Sequence, residues 1–89
     1  MRAEAVDPCD TSWEVERPVY RVHFWWRPAP GPHVMWHCQE HRLHDAHDVG
    51  EVLQWAREHA EGRSAVIYVE AVDDSRLGLL RLHGEDPNA

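Results

Sequence analysis

The chain contains no lysine: all nine of its Lys-plus-Arg residues are arginines. It has one asparagine, Asn88, one phenylalanine, Phe24, and two cysteines, Cys9 and Cys38. Each scarcity excludes something. Nine arginines against 16 acidic residues leave a formal charge of −7. An acidic chain without clustered cations argues against nucleic acid as a direct partner, because phosphate binding needs a concentrated positive surface. Two cysteines in unlike settings, one in a polar arm and one in the body, form no disulfide framework and no CxxC pair. No apolar run approaches the roughly 20 residues that span a bilayer, and the first 18 residues lack the apolar stretch of a secretory signal. The expectation is a cytoplasmic protein with no membrane partner. Arginine without lysine, beside abundant Ala, Glu and Asp, suggests a high-GC genome such as that of an actinobacterium, which is a matter of codon bias.

Catalytic signatures are also missing. There is no HExxH, no GxSxG and no Gly-rich phosphate loop. No nucleophile, base and stabiliser can be assembled into one constellation, which counts against an enzyme and implies no cofactor.

What is present is a chain of 89 residues, 43% hydrophobic, with five tryptophans. That is enough for one domain with a modest core and too apolar for a disordered acidic tail. Residues 1–17 read as a loose acidic arm, 18–84 as a single α+β domain and 85–89 as a frayed tail. Four strands and one helix are predicted in β-β-α-β-β order, one sheet with an amphipathic helix packed on one face. The strands are 19–26, 33–44, 64–72 and 77–83, rich in β-branched and aromatic residues. The last two are joined by the turn signal of residues 73–76. The helix carries Val49, Val52, Leu53, Ala56 and Ala60 on one stripe. Asp48 with Glu51 fits a capping box, Asp45 is a second possible cap, and Gly62 fits the terminating residue. The element order resembles a β-grasp topology, which by itself implies no function.

The segment 33–44 admits two readings. His33, His37, His41, His44 and His47 are spaced 4, 4, 3 and 3 apart, so a helix running from 32 to 61 would align them on one face, and His pairs four apart are a metal-binding geometry. Against this stand the excess length of such a helix, the capping signals at Asp45 and Asp48, and the rigid Pro-rich connector 27–33, which suits a hairpin. On a strand, His37 and His41 are ~13 Å apart and cannot share an ion. The strand reading sets Trp26 opposite Val34, so that Tyr20, Val22, Phe24 and Trp26 share an apolar face with Val34, Trp36 and Cys38. His23 and His37 then meet across the hairpin on the other face.

That other face collects Trp25, Met35, His23, His37, Tyr68, Leu79 and Arg81, a mixture of aromatic, Met, Arg and His typical of interaction surfaces. The expectation is a small regulatory or accessory module acting through this outer face, as a homodimer or bound to a basic protein. Alternatives are a transition-metal binder using 33–47, a small-molecule or catalytic site formed between two copies, and a face simply covered by the arm through Trp13 and Val15. Protonating all eight histidines would bring the charge to −7 + 8 = +1, so a solubility minimum is expected at mildly acidic pH.

Overall fold

The computed structural model describes residues 1–9, 11, 15, 17–31 and 33–87. The expected contact of Trp13 lies outside them. Along the chain come β1 (Tyr20–Trp26), β2 (His37–Leu43), α1 (Val49–His59), β3 (Ser64–Asp73) and β4 (Arg76–His83). The molecule is α+β in the broad sense: one four-stranded antiparallel sheet and one short helix. The spatial order is β2-β1-β3-β4. The two hairpins therefore join through β1 and β3, leaving β2 and β4 as edges. β2 and β3 run parallel with β1 between them, so the β2-α1-β3 connection is of the kind to which the right-handed crossover rule applies; the β-grasp resemblance stops at element order.

The core is small because one short helix must cover a four-stranded face. Tyr20, Val22 and Phe24 of β1 and Ile67 of β3 pack against Val52 and Ala56 of α1. Leu43, Leu53, Trp55, Ala60, Ala65 and Val69 pack around them, partly buried. Alternation along β1 thus sends its even-numbered residues to the helix, as the sequence pattern implies.

Helix α1 starts where Asp48 accepts from the Glu51 amide at 2.9 Å. Glu51 returns the bond to His47 N–H at 3.1 Å, one residue ahead of the position a capping box requires. Asp45 is no cap: its φ of 59° is left-handed. At the other end Glu61 and Gly62 are both left-handed, with φ of 53° and 81°, so the chain reverses over two residues. The β3–β4 hairpin closes through Asp74 and Ser75, both at positive φ, between paired Asp73 and Arg76. Positive φ at both central positions is the signature of the type I′ turn, whose twist matches the strands.

The register of the first hairpin differs from the expectation. Trp26 pairs with His37, not with Val34, a shift of 37 − 34 = 3 residues. An odd shift turns every β2 side chain to the other face. His37, Gln39, His41 and Leu43 share the helix side with Trp26, Phe24, Val22 and Tyr20. Cys38 stands opposite Trp25 on the outer side and is exposed, not in the core. Val34, Met35 and Trp36 precede β2 in the connector. The cause is visible in the contacts. Trp26 stacks on His37 with centroids 5.5 Å apart, and Phe24 meets His41 edge-on at 5.6 Å. Arg63 spans Phe24 and Trp26, its guanidinium carbon 4.5 and 5.3 Å from their centroids. Imidazole rings thus supply the aromatic surface that Val34 and Trp36 were expected to give.

Candidate interaction surface

The outer face, away from the helix, is built from alternate residues of all four strands. Nearest β2 it holds Cys38, Glu40 and Arg42. β1 adds Arg21, His23 and Trp25, β3 adds Val66, Tyr68 and Glu70, and β4 adds Leu79 and Arg81. Of the seven residues predicted for this face, His23, Trp25, Tyr68, Leu79 and Arg81 are on it. Met35 is in the connector, 80% exposed, and His37 is on the helix side. His23 pairs with Glu40, not His37, so the expected cross-strand repulsion between two histidines does not exist.

The centre of this face is not open. Val66 is fully buried, and His23 is 7% exposed. Gly84, at φ 87°, passes so close to β3 that a Cβ there would lie 2.5 Å from the Ala65 carbonyl oxygen. Two residues on, the Asp86 charge acts on His23, Cys38 and Tyr68. The segment read as a frayed tail therefore lies against this face at least as far as Asp86.

The polar groups beneath it are only partly satisfied: Glu70 is fully paired, while Trp25 Nε1 and His23 Nε2 are buried without a hydrogen-bond partner. Glu70, with 8% of its side chain exposed, takes 2.6 Å bonds from Arg21 and, bidentately, from Arg42. The hydrogen bonds from Arg42, outweighing the cost of burial and joined by Arg21, pull its carboxyl to about 2. His23 Nε2 sits 2.9 Å from Glu40 Oε1 without the alignment of a hydrogen bond. Burial lowers the His23 pKa more than Glu40 raises it, so at neutral pH the ring is neutral. Its ring also lies 4.6 Å from that of Tyr68. Burial, with Glu40 and Asp86, raises the Cys38 thiol. A thiol kept protonated is a poor nucleophile, so Cys38, Glu40 and His23 do not constitute an acid–base–nucleophile set. Among the described residues no group of three or more His, Cys, Asp or Glu is arranged to hold a metal ion.

The rim toward β4 is different in kind. All eight β4 residues are exposed. Leu77, Leu79, Leu80 and Leu82 retain 52, 37, 59 and 49% of their surface, and Val72 beside them 64%. These leucines fall on both faces of the strand: Leu79 pairs with Glu70 on the outer side and Leu80 with Val69 on the helix side. The helix, seated over β1 and β3, does not reach them. A cleft of about 540 Å³ runs here between Val15, Arg17, Pro18 and Val19 and the residues Val69, Ala71, Val72, Leu77 and Leu80. Leu80 faces the helix side and still stays exposed.

The edges are also unlike each other. β2 carries His37, Glu40, His41 and Arg42, and β4 carries Arg76, Arg81 and His83, so charged or titratable groups that discourage strand addition stand on both edges. β4 carries no carboxylate, and its only irregularity is a bulge opposite Ile67 and Tyr68, which leaves Arg76–Arg81 in regular register. No family model, curated protein or solved structure matches the chain.

Proposed function

We propose that this chain is a small cytoplasmic protein-interaction module, regulatory or accessory rather than catalytic, whose contact surface is the β4 side of the sheet. The carrying observation is the exposure of Leu77, Leu79, Leu80 and Leu82 along one unpaired edge. A long apolar edge left uncovered recruits other strands indiscriminately, and a dedicated partner is the physical reason to retain one. Relative to the sequence-based surface, the contact moves outward from Trp25 and His23 to Leu79 and Arg81, because the centre of the face is taken by the chain's own tail. A cytoplasmic setting fits the two free cysteines. Among the described residues no helix is long and apolar enough to cross a membrane.

The test places a photo-crosslinking amino acid at Leu79 and, as control, at exposed Gln39 on the opposite edge, in the producing cell. Adducts formed from position 79 and not from 39 support the reading. Adducts from 39 alone, or from neither, overturn it.

A further inference from the structure

We propose that residues 84–87 form a hinged strap over the outer face of the sheet, and that protonation of His23 beneath it lifts the strap. The device is built from the chain's own segment and does not depend on the reading of β4 as the contact surface.

Geometry places the strap. β4 ends at His83, and Gly84 follows in the left-handed region at φ 87°. A side chain there would lie 2.5 Å from the Ala65 carbonyl oxygen and 3.1 Å from the Val66 Cα. Gly84 thus allows the close approach and supplies the hinge, because glycine moves readily between the backbone regions that a hinge must visit. Asp86 and Pro87 beyond it are half-buried. Val66 faces outward from β3, opposite His23, yet it is completely buried. The helix packs on the other side of the sheet, and the strap crosses the chain at Val66.

His23 is the buried group here that can change charge near neutral pH. Its side chain is 9% exposed, and its ring lies 4.6 Å from that of Tyr68. Around it stand Glu40 and Cys38 of β2, Arg21 of β1, Tyr68 of β3 with its β4 partner Arg81, and Asp86 of the strap. Glu40 and Asp86 favour a charged ring, Arg21 and burial oppose it, and burial prevails. Glu40 Oε1 is 2.9 Å from Nε2 but is not aligned for a hydrogen bond, so the compensation that a buried charge requires is incomplete. A proton taken from solvent therefore leaves a poorly compensated cation under the cover.

Two openings could hydrate that cation. β1 is held between β2 and β3, and Tyr20, Val22 and Phe24 on it belong to the core, so parting the sheet there undoes the fold. Lifting 84–87 about Gly84 leaves the core in place, and local opening of the least-held segment is the easier route. Asp86 departs with the strap. Its attraction is the smallest of the four influences on His23, so its loss does not reverse the sign. Docking is therefore complete above the ordinary His range of about 6.5 and weakens as pH falls below it. Release uncovers Val66 and His23 beside Tyr68.

The test is nuclear magnetic resonance on the full chain, with a nitroxide attached at Glu85→Cys in a Cys9→Ser, Cys38→Ser background. Glu85 is exposed, so the label stays out of the contact. At pH 7.5 the label is expected to broaden the Val66 methyl signals. At pH 5.5 docking is expected to be about fivefold or more weaker, the lower end of ordinary coupling between two sites, while Phe24 and Val52 keep their folded signals. In His23→Gln the broadening is expected to be the same at both pH values. Coupling is reciprocal, so Gly84→Ala, which dislodges the strap, should raise the proton affinity of His23 by about the same factor, read from its ring-proton titration without the label. If His23→Gln does not fold, that titration decides alone. Broadening that is absent at pH 7.5 or undiminished at pH 5.5 overturns the inference, as does an equal loss in His23→Gln or loss of the folded Phe24 signals together with the broadening. A His23 proton affinity in Gly84→Ala that is unchanged or lower also overturns it.

Discussion

Removing the Phe24 side chain tests how the fold is held. Phe24 is the chain's one phenylalanine and is fully buried. It touches Trp55 of the helix at 5.8 Å, His41 of β2 at 5.6 Å and the Arg63 guanidinium at 4.5 Å. It thus joins helix, sheet and the chain reversal between α1 and β3. A buried Phe→Ala substitution costs about 3–5 kcal/mol, and loss of the cation–π contact adds about 0.5–1 kcal/mol. A domain of this size has about 4–13 kcal/mol in total at the usual per-residue stability. Phe24→Ala should therefore remove about a quarter or more of the stability and can unfold the chain outright. In urea, at about 1–3 kcal/mol per molar, the unfolding midpoint should fall by at least ~1 M. Trp26→Ala is the comparison: Trp26 lies on the same side but is only partly buried at the end of β1, so its loss should cost about 1–2 kcal/mol. A cost below ~1 kcal/mol for Phe24→Ala, or a larger cost for Trp26→Ala, would refute this placing of the core.

Three further outcomes follow from the polar groups and the tail. His23 has a lowered folded pKa, so below about pH 6.5 the unfolded chain takes up a proton that the folded chain resists, and stability should fall as pH drops through that value; His23→Gln should shrink the difference in melting temperature between pH 7.5 and 5.5, and an unchanged difference would sink the assignment. Glu70, held at about 2, contributes stability that is fully present above the ordinary carboxylate range of about 4.3 and is lost as pH falls toward 2; the stability gap between wild type and Glu70→Gln should close over that window, and a gap constant across it would show that the two arginines do not act on this carboxyl. Gly84→Ala should destabilise by about 1–3 kcal/mol through its left-handed backbone and the clash with the Ala65 carbonyl, and a neutral result by thermal melting would show that the tail does not cross β3 there.

The sequence carried the elements well and the packing partly. Alternation in Tyr20, Val22 and Phe24 and the stripe through Val52 and Ala56 identify the buried faces, because burial writes its period directly into the residue pattern. The helix start was readable in Asp48 and Glu51. The β2 register was not, because the pattern was read for apolar residues while His37 and His41 do the aromatic packing against Trp26, Phe24 and Trp55. Histidine is scored as polar, yet its ring stacks. The segment 84–87 was also illegible: nothing in Gly84-Glu85-Asp86-Pro87 signals docking, and it is the left-handed backbone and the space beside Ala65 that require the glycine. The surface was half readable. Leu79 and Arg81 were named for the right face, but Met35 and His37 followed the mistaken register, and the closure of the face over His23 and Val66 depends on the tail.

Hydrogen exchange followed by mass spectrometry, on the chain purified gently from the producing cell with its bound material and again after that material is stripped, tests the β4 contact most directly. A bound partner shields the outward amides of Arg76–His83 while leaving His37–Leu43 as it was. The expected result is protection across Arg76–His83 that is lost on stripping, with constant protection across His37–Leu43. Protection indifferent to stripping in both segments, or lost at His37–Leu43 instead, would contradict it.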